Sequence, residues 1–350
     1  MTESEQSVLF VSPWEMESGS ATYAHYLLDE LSSIQDVDLM QWDHESLFKR
    51  GSGIAVLNFD FINRVHRHDI VHLQYHFGRY LLSLPIILLI CLLTRTKVVL
   101  AQHERFGDLP FPRLVYWYHQ IIHFAVDRIV VHTEARKKLV WTPHQKRTVV
   151  VPHGVFYRPE FERSPSKANR LLIPGLIRPN KGHEIAVRAL EDLPDCVELR
   201  IVGKPSESEL FDGEEYVQHL KEVADTLGAQ DQLTLRTEFL PEKELYDEFR
   251  QADFVVMPYD HDAPMSGILA HAISWKCITI MSEASVFKSA VPIEDLFFSP
   301  RTPEMLTEKI LDLRTDLDRQ SEIIREMDEL SKEYSWESAA GQFQDVYRNM

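Results

Sequence analysis

Gly175, Arg178, Lys181 and Gly182 fall within one eight-residue window of the stretch LLIPGLIRPNKGHEIAVRAL, from Leu171 to Leu190. A guanidinium and an ammonium three residues apart, next to glycines that let backbone come close, suit a phosphate or diphosphate. The apolar run Leu171, Leu172, Ile173 reads as a strand ending at Pro174-Gly175. Ile185, Ala186, Ala189 and Leu190 read as one face of a helix. A helix starting near Lys181 would turn its unpaired N–H groups and the positive end of its dipole into the loop between them. An ordinary βα turn with solvated basic residues accounts for the same stretch.

Further groups of interest stand where strands should end. Gln74-Tyr75-His76, His103-Glu104 and His153-Gly154 each follow an apolar run, and doubly wound sheets bind ligands at the carboxyl ends of their strands. Gly19 sits in the turn after the first apolar run, where a missing Cβ admits a ligand. In PYDHDAPMSGILAHAIS, Ser266 can cap a helix and Gly267 allows close approach to its start. This is a second anion site or plain N-cap chemistry. Asp260 and Asp262 would repel an anion there and fit hydroxyl groups better.

Twelve of the 16 histidines lie in the first half, and His68, His72 and His76 recur every fourth residue. They run through a strand, where four residues cover ~13 Å, so they do not share a metal. Cys91, Cys196 and Cys277 form no C-x-x-C pair and suggest neither a disulfide framework nor a zinc knuckle.

The elements that would position these groups recur as β and α in alternation. Expected strands are Ser7 to Val11, Val37 to Met40, Ile70 to Leu73, Val98 to Ala101, Arg128 to Val131 and Val149 to Val151. The polar stretch 158–169, RPEFERSPSKAN, reads as a linker, and the pattern then restarts at Leu171, Val197, Leu233 and Phe254. The class is α/β with two doubly wound parallel sheets. The expected domains are 1–163 and 164–334.

Composition narrows the partners. With 37 basic and 54 acidic side chains the net charge is −17, yet residues 1–165 carry 17 basic against 18 acidic and are nearly neutral. Nucleic acid is excluded, since its affinity rests on neutralising phosphates. The acidic N-terminus lacks the layout of a signal peptide, and a cytoplasmic location is expected. Leu81 to Leu93, LLSLPIILLICLL, has 13 residues where a membrane span needs roughly 17–25. It is a buried helix or an interfacial one flanked by Arg79, Arg95 and Lys97. With the basic Arg136-Lys137-Lys138 and Lys146-Arg147 and the aromatic Tyr116-Trp117-Tyr118, it could serve a peripheral contact at the inner membrane face.

Taken in order, HDIVHLQYHFG, VVLAQHERFGD, DRIVVHTEARKKL, VVVPHGV, the G-x-I-R-P-x-K-G stretch, ELRIVGKP, ADFVVMPY with SGILAHAIS, and YSWESAAGQFQDVY resemble the retaining GT-B-fold glycosyltransferases of family 4. The resemblance implies two Rossmann-like domains facing across a cleft, with a final helix, residues 335–350, packing back on the first. It implies a nucleotide-diphosphate sugar as donor, a hydroxyl acceptor on a glycan or lipid-linked glycan, retention of configuration, and neither cofactor nor metal.

On the same ground Arg178 and Lys181 would hold the diphosphate and His103 would lie at the reaction centre. Gly19, Ser20, Gly175, Asp262, Ser266, Gly267 and Ile268 would meet the donor, and Gln74, His76 and Glu104 would line the acceptor side. The sequence departs from the family in three places. Leu176 stands where an arginine is usual, Lys276 replaces a glycine, and the paired glutamates are missing, with Asp262 near the first and His271 at the second. Two alternatives remain, a catalytically silent GT-B-like binding module and a sugar-nucleotide epimerase.

Overall fold

The computed structural model describes residues 6–12, 14, 19–42, 48–51, 54–57, 59–75, 80, 83–103, 112–206, 212–260 and 267–350. The chain divides into two compact units, Met1–Gly154 with Tyr334–Met350, and Val155–Glu333.

In the first unit β1 (Val8–Ser12), β2 (Val37–Gln41), β5 (Ile70–Tyr75), β6 (Lys97–Gln102), β7 (Arg128–Val131) and β8 (Thr148–Val150) form one parallel sheet in the order β2-β1-β5-β6-β7-β8. Fully buried β1 reads as an apolar run because both faces are covered, and β5, equally buried, sets His72 and Gln74 among its apolar residues. The helices are α1 (Gly19–Ile34), α2 (Phe59–Arg67), α3 (Leu84–Thr94), α4 (Pro112–Ile122), α5 (Glu134–Leu139) and α6 (Thr142–Gln145). An antiparallel hairpin, β3 (Phe48–Gly51) with β4 (Ile54–Leu57), was not foreseen from the sequence.

The second unit holds β9 (Arg170–Pro174), β10 (Glu198–Val202), β11 (Leu233–Arg236), β12 (Phe254–Met257), β13 (Ile278–Ser282) and β14 (Phe297–Phe298), parallel in the order β11-β10-β9-β12-β13-β14. Around them lie α7 (His183–Ala189), α8 (Gly213–Leu227), α9 (Glu242–Gln251), α10 (Gly267–Ser274), α11 (Ser285–Ala290), α12 (Pro303–Thr315) and α13 (Leu317–Glu333). In both sheets the strand order reverses once, between β1 and β5 and between β9 and β12. Such a switch point leaves a crevice at the strand carboxyl ends.

The last helix, α14 (Trp336–Arg348), belongs to the first unit and packs on α1. A Cβ on Gly154 would lie 2.1 Å from the Trp336 ring, so only glycine lets that indole close over the end of the His153-Gly154 turn.

Residues 158–169 are not a loose linker. Arg163 donates to the carbonyls of Phe249, Ala252 and Trp275, and Ser166 bonds Asp253 and Gln320, all in the second unit. The stretch lacks apolar period because hydrogen bonds, and not buried side chains, hold it. The break between units falls after Gly154, nine residues before the expected one.

Candidate functional site

The cation loop stands at the switch point of the second sheet. β9 ends at Pro174, and Gly175 (φ +100°) follows with Ile268 of α10 opposite, where a Cβ would be 3.1 Å away. No continuous helix starts at Lys181. Pro179–Lys181 form a single 3-10 turn, Gly182 breaks it at φ +74°, and α7 begins at His183. The cations are therefore presented by a tight turn and not by a helix terminus. A Cβ on Gly182 would lie 2.0 Å from the Pro258 carbonyl oxygen. Both its φ and its neighbour demand glycine.

That close approach locks the loop to the segment after β12. Asp260 N–H donates to Asn180 O at 3.2 Å, and Lys181 Nζ sits 3.7 Å from the centre of the Tyr259 ring. Burial, with Arg178 adding like charge, lowers the Lys181 pKa to about 7. A cation so poised gains its full charge when an anion arrives. His183, buried, donates from Nδ1 to Arg178 O at 3.2 Å, and burial first, then Lys181, lowers its pKa to about 3. It stays neutral and braces the loop. Tyr259 also walls a cavity of about 470 Å³, lined further by Asp260, Ser282, Glu283, Phe298 and Arg301. Carboxylates, a hydroxyl and a guanidinium around such a volume suit a polyhydroxylated group.

The structure thus brings Gly175, Arg178, Lys181 and Ile268 together, with Gly267 opening α10 beside them. Asp262 and Ser266 lie outside the described residues. His271, at the place of the second family glutamate, packs against Tyr246 and Phe249, and burial lowers its pKa to about 4. It is an apolar-side packing residue here. Lys276 shows why glycine is usual at its position: φ is +52° at the end of α10, where its N–H bonds Ile273 O and the next N–H bonds Ala272 O. The side chain compensates through Asp328 (2.7 Å) and Phe161 O (2.7 Å).

In the first unit, Gly19 and Ser20 open α1 after β1, and His76 and Glu104 lie outside the described residues. His103 and Gln74 are joined in a chain of side chains. His132 Nδ1 donates to Val151 O (2.9 Å), so its neutral Nε2 accepts from His103 Nδ1 (3.1 Å). His103 Nε2 meets Gln74 Oε1 (2.5 Å), Gln74 Nε2 meets His72 Nε2 (3.0 Å), and His72 Nδ1 meets Tyr347 OH of α14 (2.5 Å). Burial lowers His132 to about 4 and His72 to about 3, so both are neutral. Two proton arrangements satisfy the chain. With Gln74 Oε1 toward His103, that ring donates at both nitrogens and is a cation. With the amide turned over, His103 is neutral and Tyr347 donates to His72.

Tyr23 packs edge-on against His103 (4.7 Å), His153 (4.8 Å) and Trp336 (5.1 Å). The roles of His72, His132, Tyr23, His183 and Tyr259 were not read from the sequence. Each pairs with residues distant in the chain, and only the V-x-H patterns of the strands hinted at buried histidines. Among the described residues no group of three His, Cys, Asp or Glu could hold a metal.

The chain resembles known proteins in sequence and fold. Residues 158–329 match the family model of glycosyl transferases group 1. A GDP-mannose:glycolipid 4-beta-D-mannosyltransferase of Xanthomonas campestris pv. campestris is 30% identical over 231 residues, which are 59% of this chain and 59% of that protein. The chain thus matches less than two thirds of the length of its curated relatives. HepE of Anabaena, solved with UDP and glucose, superposes with a TM-score of 0.75 at 14% identity over 99% of this chain and all of that one. Sucrose-phosphate synthase from Thermosynechococcus elongatus does so with a TM-score of 0.71 at 15% identity, covering 98% of each chain. At such identities the likeness is one of fold, two Rossmann-like domains of the GT-B kind. The segment that matches glycosyl transferases group 1 is the second unit almost throughout, and it carries the cation loop at the sheet switch point.

Proposed function

We propose that this protein transfers a hexose from a nucleotide-diphosphate sugar to a hydroxyl acceptor, a glycan or lipid-linked glycan, in the cytoplasm. The observation that carries the reading is the locked loop in which Gly182 seats against Pro258 and delivers Lys181 beside Arg178. Two cations there neutralise the charge that grows on the diphosphate as the sugar leaves, without a metal. The cavity beyond Tyr259 offers hydroxyl partners for the sugar. His103, held by Gln74 and His132 within the first unit, has the reaction-centre role only through the family resemblance, as do the acceptor-side groups.

Retention of configuration follows from that resemblance, with the leaving diphosphate helping to deprotonate the acceptor. A second reading is inversion. The Xanthomonas relative is named for a β-linked product from GDP-mannose, whose sugar is α-linked, and the paired glutamates of the retaining pattern are missing here. Inversion needs a base for the acceptor hydroxyl, and Glu104 is the candidate. The one-bond C1–H1 coupling of the product sugar separates the two outcomes. A thermal-shift panel of UDP-, GDP- and ADP-sugars without metal, run on wild type and Lys181→Ala, tests the reading itself. A shift in wild type alone supports it. No shift with any donor favours the silent binding module.

A further inference from the structure

Helix α4 carries Leu114, Trp117, Ile121 and, in the 3-10 turn that follows it, Phe124 along one line, and all four are 52–69% exposed. The spacing of three or four residues puts them on a single face. The opposite face is fixed inward: Val115 and Ile122 are buried, and His119 bonds Val115 O and the Tyr75 hydroxyl. The stripe is therefore not core residues waiting for another packing of the same unit. Trp141, whose ring lies 5.9 Å from Trp117 and 6.0 Å from Phe124, widens it, and exposed Leu139 lies two residues before Trp141.

Helix α3 adds to the same side. β5, β6 and β7 are adjacent in the sheet, and right-handed crossovers put the α3 and α4 connections on one face. Leu84, Ile87 and Cys91 of α3 enter the core that also takes Ile122, while Leu89, Leu92 and Leu93 stay exposed. So α3, the described part of the Leu81–Leu93 segment, is buried on one side and an apolar surface on the other. Exposed apolar side chains are thus spread over two helices on one face of the sheet, and exposed apolar patches mark sites of interaction.

Charge says what covers it. Residues 112–147 hold seven Lys and Arg against two acidic residues, in a chain whose net charge is −17. Arg113, Lys138 and Lys146 are exposed around the stripe, and Arg95 and Lys97 close α3. Cations rimming tryptophan, phenylalanine and leucine match an anionic bilayer, with headgroups outside and acyl chains at the centre. We propose that the α3–α4 face, with Leu139 and Trp141, docks this protein on the surface of an anionic membrane. The docking does not depend on the transfer reaction, so it would hold for a silent module as well.

The experiment is flotation of the full chain with phosphatidylcholine vesicles, with and without phosphatidylglycerol, alongside sedimentation velocity without lipid. Wild type should float with the anionic vesicles, and less so as salt rises. The variant Leu114→Ser/Trp117→Ser/Ile121→Ser should bind roughly tenfold more weakly while remaining folded with a cooperative melt, because these side chains are at least half exposed. Lys138→Glu and Lys146→Glu should each cost roughly fivefold on anionic vesicles only. Absence of flotation, or a triple variant that binds like wild type, would overturn the proposal. So would a wild-type dimer that the triple variant dissolves, which would mean that a second copy of the chain covers the face.

Discussion

His103 Nδ1 lies 3.1 Å from His132 Nε2, and because His132 spends its own N–H on the Val151 carbonyl, the bond between the two rings can run in one direction only. His103 must be the donor, which fixes its tautomer and turns its Nε2 toward Gln74. Among the described residues, Gln74, His132 and the Tyr23 ring face His103, with His153 packed behind Tyr23.

The first prediction follows from that arrangement. Gln74→Leu removes the carbonyl that accepts from a charged His103, so the neutral ring gains and the acidic limb of the kcat/KM profile should move to lower pH. His132→Gln should lower kcat by roughly tenfold to a hundredfold, with KM for the donor little changed. The ¹⁵N shifts of His103 report its protonation directly. If they titrate alike in wild type and Gln74→Leu, the coupling is absent.

Lys181 makes donor binding proton-linked. With its pKa lowered to about 7 by burial, much of it is neutral at pH 8, and a bound diphosphate must raise that value. Binding should therefore take up a proton above pH 7, read from calorimetry in buffers of different ionisation enthalpy. Uptake that persists in Lys181→Met would assign it elsewhere.

The same shift has a consequence for stability. The unfolded chain holds this proton to about pH 10.5 and the folded chain releases it from about 7, so the unfolded state binds more protons between those values and stability rises with pH there. Lys181→Met should be more stable than wild type below pH 7, and the advantage should shrink as pH rises toward 10. Thermal melts at pH 6 and pH 9.5 give the comparison. An equal difference at both would contradict the sign.

Gly182→Ala forces a side chain into a left-handed backbone position against Pro258 O. It should cost roughly 2–4 kcal/mol of stability and weaken donor binding more than tenfold by separating Lys181 from Tyr259. Denaturant melts and donor titration check both halves, and near wild-type behaviour would mean that the loop has room the geometry does not show.

At Lys276 the order of two substitutions is informative. Both Lys276→Gly and Lys276→Ala lose the bonds to Asp328 and Phe161 O, but alanine must also hold φ near +52°. Glycine should be the more stable by about 1 kcal/mol, the reverse of the order inside a helix. Equal melts would show that the left-handed turn relaxes.

The sequence by itself determined the two parallel sheets, since buried parallel strands must be apolar on both faces and runs such as Val8–Val11 and Phe254–Met257 leave no other reading. It also determined the cation loop, because Gly175, Arg178, Lys181 and Gly182 are local and their spacing survives folding. Only the tertiary structure decided what these groups do together. A 3-10 turn replaced the expected helix start because Gly182 has to pass under Pro258, 76 residues away. His103 acquired its tautomer from His132 and Val151, and His72 its partner from Tyr347, 275 residues on. Residues 158–169 look like a linker by composition and are fixed by hydrogen bonds to distant carbonyls. Period and composition record which side chains are apolar and how they repeat, whereas a hydrogen-bonding partner or an outward-facing helix stripe is set by which strands and helices come to lie side by side.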